Sequence, residues 1–227
     1  MSGKSKYSIN EDIFDIDSEV GFYLAGFIAA DGNVFNDIRS NTLSLNIGLS
    51  RKDKPHLIKI KEAMCFTGPI SDHKHYNKKY DTDYLSSKLQ IYCSKKIIND
   101  LERNFNVVPN KTFIYQFPNN IILHSMVRHF IRGYFDGDGS FYLDHANRNS
   151  SSMCFDLLGT KSFLETVCNI LERDCNLQSK AVVNPIKNIY RLRYSGTNLI
   201  SKIVNYLYKD ATIYLNRKFD IVKHLIY

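Results

Sequence analysis

Leu24-Ala25-Gly26-Phe27-Ile28-Ala29-Ala30-Asp31-Gly32 and Ile131-Arg132-Gly133-Tyr134-Phe135-Asp136-Gly137-Asp138-Gly139 are two versions of one segment, one in each half of the chain. In both, an apolar helical pattern ends on an aspartate, Asp31 or Asp138, directly before a glycine. A carboxylate at a helix C-terminus meets about half an elementary negative charge from the helix dipole and is disfavoured there. Something positive must offset it, and a divalent cation is the natural candidate. Gly26 and Ala30 are one helical turn apart, as are Gly133 and Gly137, so each pair leaves one helix face nearly bare. Two bare faces let two helices approach closely, and their C-terminal ends then bring Asp31 and Asp138 together. The plain alternative is a pair of glycine-terminated core helices whose last Asp is a solvated cap; its occurrence twice argues against that.

These segments resemble the LAGLIDADG motif of homing endonucleases. The resemblance implies an α+β chain with a pseudo-twofold duplicated αββαββα fold, its two antiparallel sheets forming a DNA-binding saddle. The motif's eighth position, the metal-binding acid, falls on Asp31 in the first copy and Asp138 in the second. Its sixth position is Ala29 in one copy and Asp136 in the other, a side chain on which the family's chemistry does not rely. Arg132 replaces a small residue at the second position, which suggests that this point of the second helix faces outward.

Length and composition agree with that reading. The 227 residues, 44% of them hydrophobic and 13% aromatic, suffice for one large core or two modest ones. A net charge of +7 favours a polyanionic partner without identifying one. Cys65, Cys93, Cys154, Cys168 and Cys175 are scattered and include no Cys-x-x-Cys pair, which points to a reducing compartment and no structural zinc. His73 and His75 lack cysteine partners at zinc-finger spacing. No apolar run approaches the roughly 20 residues of a membrane span, and the N-terminus lacks a signal-peptide core, so a soluble intracellular protein is expected.

Periodicity orders the elements. Residues 1–16 read as a polar, loose extension, 17–112 as the first repeat, 113–122 as a linker and 123–227 as the second repeat. Asp17 or Ser18 caps the first motif helix. Leu43, Leu45, Ile47 and Leu49 alternate with Thr42, Ser44, Asn46, Gly48 and Ser50, a half-buried strand with a polar face. A helix follows around Pro55–Phe66, then a strand pair around the loop His73–Asp83. Leu89, Ile91 and Cys93 alternate with Lys88, Gln90 and Tyr92, and a helix spans Lys95–Asn104 with Ser94 at its start. The second half repeats the programme: a strand near Met153–Leu158, a helix over Lys161–Asp174, strands near Lys180–Asn184 and Ile189–Ser195, and a helix from Thr197. Each half is then helix, two strands, helix, two strands, helix.

The polar strand faces place Ser44, Asn46, Arg51, Lys88, Gln90 and Tyr92 on the first sheet's outer surface, with Arg191 and Arg193 on the second's. Arg, Lys, Gln and Asn are the side chains that read base edges in the major groove, which admits a β-ribbon. The basic and aromatic loop with Lys74, Lys78 and Lys79 would grip phosphates, contributing affinity and salt dependence. At the centre, Asp31 and Asp138, with the backbone of Ala30 and Gly137, would hold the metal. Mg²⁺ suits such a site, Mn²⁺ would substitute, and Ca²⁺ would support binding without cleavage. The family's pocket lysines resemble Lys111 and Lys218, and Arg51 stands near where the family often has a water-ordering glutamine.

The expected function is therefore cleavage of both strands of a long, nearly non-palindromic duplex across the minor groove, with short 3′ overhangs, by a monomeric single chain. Two unlike halves imply unlike half-sites. The runner-up readings are an intron maturase that binds RNA and a non-cleaving DNA-binding regulator, the latter disfavoured by the intact acid pair. Splice-junction residues are not apparent, so a free-standing or intron-encoded protein is expected rather than an intact intein.

Overall fold

The structure is a computed structural model in which residues 6–15, 17–37, 42–79, 81–92, 95–147, 150–178 and 181–227 are described. Cys93, Ser94, Lys180 and Tyr80 lie outside the described residues.

The first motif helix, α1 (Glu19–Asp31), starts at Ser18, whose Oγ accepts a hydrogen bond from the Gly21 amide at 3.0 Å. From Gly21 to Ala29 it is buried on all sides, as its unbroken apolar sequence requires. The second, α4 (Val127–Asp138), packs along it. Their glycines set the separation: a Cβ on Gly26 would lie 2.0 Å from the Phe130 carbonyl oxygen, and one on Gly133 would lie 2.0 Å from that of Tyr23. Only hydrogen fits at either point.

Each motif helix feeds directly into a sheet. β1 (Gly32–Asp37), β2 (Thr42–Ser50), β3 (Ile70–Asn77) and β4 (Thr82–Tyr92) form an antiparallel sheet in the order β1-β2-β4-β3. β5 (Gly139–Asn147), β6 (Ser150–Gly159), β7 (Val182–Ile186) and β8 (Ile189–Ser195) repeat it as β5-β6-β8-β7. The repeat extends to register, since Gly32 faces Ile47 across the first sheet and Gly139 faces Leu157 across the second. The inner faces, with Leu45, Ile47, Leu89 and Ile91 in one half and Phe155, Leu157, Leu192 and Tyr194 in the other, are buried in the core. Helices α2 (Lys54–Ala63), α3 (Lys95–Phe105), α5 (Lys161–Asp174) and α6 (Thr197–Tyr208) complete the two halves.

Four expectations are corrected. The segment 6–15 is not loose: Ile13 and Phe14 are buried, the Asn10 amide donates to the Met64 carbonyl, and Asp15 pairs with Lys96 and Arg103. With Tyr7 and Ile9 also packed against the core, its apolar residues outweigh its polar composition. The stretch read as the loop His73–Asp83 is mostly strand, because β3 continues to Asn77 and β4 begins at Thr82; His73 and His75 are exposed on β3. The second half carries an extra helix, α7 (Asn216–Val222), too short to show a period. Arg132 is fully buried rather than outward-facing. Its guanidinium donates to Glu19 at 2.7 Å and to the carbonyls of Leu207 at 2.9 Å and Ile213 at 3.1 Å, with His129 Nδ1 2.6 Å away.

Candidate active site and nucleic-acid interface

Asp31 and Asp138 are the last residues of α1 and α4, at the point where the helices touch. A Cβ on Gly137 would lie 2.4 Å from that of Ala30 and 3.5 Å from the Asp31 carboxyl carbon. Asp31 is exposed and Asp138 half-buried. Loss of hydration raises both carboxyl pKa values; the Asp138 value, raised further by the charge of Asp31, reaches about 6. The lysines of both halves oppose this rise.

Those lysines stand on the ends of the motif helices. Lys111 Nζ donates to the Gly32 carbonyl; Lys218 Nζ donates to the carbonyls of Phe135 at 2.8 Å and Gly137 at 3.0 Å. Helix-end carbonyls lack intrahelical partners, and a cation there also offsets the dipole. Both ammonium groups are buried, which lowers their pKa values; that of Lys218 falls to about 8 despite the raising effect of Asp136. A cavity of about 140 Å³ beside Lys111 is lined by Ala30, Lys111, Tyr134 and Asp138 among others. Gly137, expected to offer its carbonyl to a metal, already accepts from Lys218 and retains a second lone pair.

Several participants were not singled out from sequence. Asp136 is 1% exposed and accepts from Tyr208 Oη at 2.7 Å, Tyr23 Oη at 2.8 Å and the Leu215 amide at 2.7 Å. It thereby fixes the start of α7, on which Lys218 rides. Arg217 makes a two-pronged pair with Asp53 of the other half, 3.0 Å on each prong, and both charges act on Asp31. His56, also buried, has Nε2 2.9 Å from Tyr23 Oη, and desolvation lowers its pKa to about 4. The sequence signal was faint: His56 and Asp136 are polar residues inside apolar patterns, and Asp53 lies in a charged run that reads as surface. Arg51 is exposed and lies 3.7 Å from Asp72 on β3.

On the sheets' outer faces the predicted residues divide. Lys88 and Gln90 are half-buried and Tyr92 is exposed. Ser44, by contrast, is 2% exposed, screened by its neighbours, and accepts from Asn46 Nδ2 at 3.2 Å. Lys74 is paired with Asp83 at 2.7 Å, whereas Lys78 and Lys79 occupy the β3–β4 turn. Arg191 and Arg193 are engaged by acids of their own sheet, Asp156 and Asp144.

No protein-family model matches the sequence, and no curated protein matches it. Solved structures do match by shape. The homing endonuclease I-WcaI, bound to its DNA recognition sequence, superposes with a TM-score of 0.65 at 17% identity, covering 88% of this chain and 86% of that one. The chain has the duplicated LAGLIDADG fold. The LAGLIDADG homing endonuclease I-LtrWI on its target DNA gives 0.55 at 12% identity, covering 91% of this chain and 92% of that one. I-SmaMI, bound to uncleaved DNA with calcium ions, gives 0.54 at 13%, covering 88% and 87%. The likeness is one of fold, at low sequence identity. Among the described residues no helix is long and apolar enough to cross a membrane.

Proposed function

We propose that the chain is a site-specific, divalent-metal-dependent DNA endonuclease of the homing type, cutting both strands of a long, nearly non-palindromic duplex. The observation that carries this reading is the convergence of Asp31 and Asp138 at the ends of two packed helices, with Lys111 and Lys218 seated beside them. The similarity in shape to DNA-bound homing endonucleases supports it.

The site fits a hard cation. Two carboxylates share it, and Asp138 holds its proton because its carboxyl is desolvated and stands beside the charge of Asp31, a rise that Lys218 and Lys111 only partly oppose. Among the described residues no group of three or more His, Cys, Asp or Glu could hold a metal, so the ligands would be Asp31, Asp138, backbone oxygen at Ala30 and Gly137, and the phosphates of DNA. Mg²⁺ suits such a set, because it takes one or two carboxylates and substrate phosphates and keeps several waters. When bound, the ion supplies charge neutralisation at the scissile phosphate and lowers the pKa of a coordinated water.

The protein's own groups do the rest. Lys111 and Lys218 place positive charge beside the phosphates, and their fixed carbonyl partners hold them without reorganisation. The low pKa of Lys218 suits exchange of a proton near neutral pH. The outer sheet faces bind the duplex in its major groove, while Lys74, Lys78 and Lys79 contact phosphates.

The test is cleavage of a duplex recovered by selection from a randomised library, or of the exon junction flanking the gene. Asp31→Asn and Asp138→Asn should abolish cutting in Mg²⁺ while leaving Ca²⁺-supported binding intact. Lys111→Met and Lys218→Met should lower the single-turnover rate more than affinity, and Lys78→Met the reverse. Cutting at wild-type rates by either aspartate variant would refute the assignment.

A further inference from the structure

The pseudo-twofold relates side chains as well as strands. Asn46 on β2 pairs across the first sheet with Gln90, and Gly48 with Lys88. At the same register in the second sheet Asp156 pairs with Arg193, and Leu158 with Arg191. A neutral amide pair with a lysine in one half is thus replaced by a carboxylate with two arginines in the other.

Their surroundings differ accordingly. Asp156 is 9% exposed, although it stands on the outer face and not in the core. Its Oδ2 accepts from Tyr142 Oη at 3.0 Å and lies 3.5 Å from Arg191 Nη1; its Oδ1 is 3.7 Å from Arg193 Nε. Arg193 also donates to Asp144 at 2.6 Å and lies over the Tyr142 ring at 5.4 Å. The cluster is built but not satisfied: Asp156 Oδ1 and Arg191 Nε are buried without a hydrogen-bond partner. In the other half Asn46 Oδ1, at the matching position, is unpartnered too. Unmet buried polar atoms cost free energy in the isolated protein, and they recur at equivalent points of the face proposed to meet DNA.

An acid on a DNA-binding face repels phosphate unless it serves another group. Here it neutralises and aims two guanidinium groups. A fixed guanidinium matches guanine O6 and N7, whereas Gln and Asn match adenine N6 and N7.

We propose that Asp156 is a positioning residue that presents Arg193, with Arg191 beside it, to a guanine in the second half-site, while Gln90 with Asn46 reads an adenine at the symmetry-related position of the first. This rests on the endonuclease reading above and adds base identity to it. The two half-sites then differ at equidistant positions from the centre because the sheets differ at equivalent residues.

The experiment is selection of bound and of cleaved duplexes from a randomised library by the full chain and three variants. For wild type, guanine on one side and adenine on the other, equidistant from the cut, is expected. Arg193→Gln should reduce the guanine preference roughly tenfold or more, with the profile elsewhere unchanged. Asp156→Asn should relax that same position while the first half-site keeps its profile. The double variant, carrying the first half's amide pair, should move the preference to adenine and make these two positions symmetric. An unchanged profile in Arg193→Gln overturns the proposal, as does loss of a cytosine preference in Asp156→Asn with guanine reading intact elsewhere, because the acid would then read the base itself. If wild type selects no duplex at all, the endonuclease reading fails as well; sequence-specific cutting without guanine at this position overturns only the base assignment.

Discussion

At the scale of single residues, burial decides what a charge is for. Arg132 is fully buried yet has acceptors for its donors in Glu19 and two backbone carbonyls, so it acts as a strut between the motif helices and the C-terminal segment. Replacing it by Met leaves those acceptors unmet and should cost about 3 kcal/mol, read as a fall in denaturation midpoint. Asp138 behaves differently. Its pKa of about 6 in the folded protein exceeds the ordinary value of 3.8, so the folded state takes up a proton that the unfolded state does not. The resulting stabilisation is complete below about pH 4 and is lost as pH rises through 6. In EDTA, Asp138→Asn should therefore melt above wild type at pH 7.5, and the difference should vanish by pH 4. The same proton competes with the metal, so the Mg²⁺ needed for half-maximal cutting should be flat above pH 7 and climb as pH falls below 6. Asp31 and Asp138 were legible in the sequence because the acid-glycine ending occurs twice. Arg132 and Asp136 were not, because a charged residue in an apolar pattern reads alike whether it faces water or a buried partner.

At the scale of elements, the α1–α4 pair is the part of the fold most exposed to a single methyl group. Gly133→Ala would put a carbon 2.0 Å from the Tyr23 carbonyl oxygen, and the obstruction is backbone, which no rotamer change relieves. The helices must separate, at a cost of at least the 1–3 kcal/mol typical of overpacking, and the two acids move apart with them. Both the melting temperature and the Mg²⁺-dependent rate should fall. Gly48→Ala, with nothing within 4 Å of the added carbon, is the control and should melt like wild type. Helix and strand periods were visible for α5, whose apolar positions keep one face, and for β8, where Tyr190, Leu192 and Tyr194 alternate with Arg191 and Arg193. The strand pair was foreseen, but the distal part of the β3–β4 hairpin was read as loop because His73–Asn77 is exposed and carries no alternation.

At the scale of the whole molecule, each lysine-bearing segment is fastened to the opposite half. Beyond Lys111, Tyr115 stacks on Tyr134 at 6.1 Å and its carbonyl accepts from Thr160. Beside Lys218, Arg217 grips Asp53, and the neighbouring Asn216 accepts from Lys59 at 2.7 Å. One core cluster runs through both halves. Calorimetry should accordingly show one cooperative transition; two separable transitions would mean that the halves fold independently. Binding to the selected duplex should weaken with salt at a logarithmic slope of roughly 0.9 per phosphate neutralised.

The sequence alone determined the duplication, the glycine-bearing helix faces, the acid that closes each motif helix and the alternation of most strands. These are local properties, set by spacing along the chain and by the conformational limits of glycine. Only the tertiary structure decided which charges are buried, that Lys111 and Lys218 rest on helix-end carbonyls, that Asp53 and Arg217 join the halves beside Asp31, and that Asp156 faces two arginines. Those pairings join residues distant in sequence, and their energies depend on desolvation and geometry that exist only once the two halves have packed.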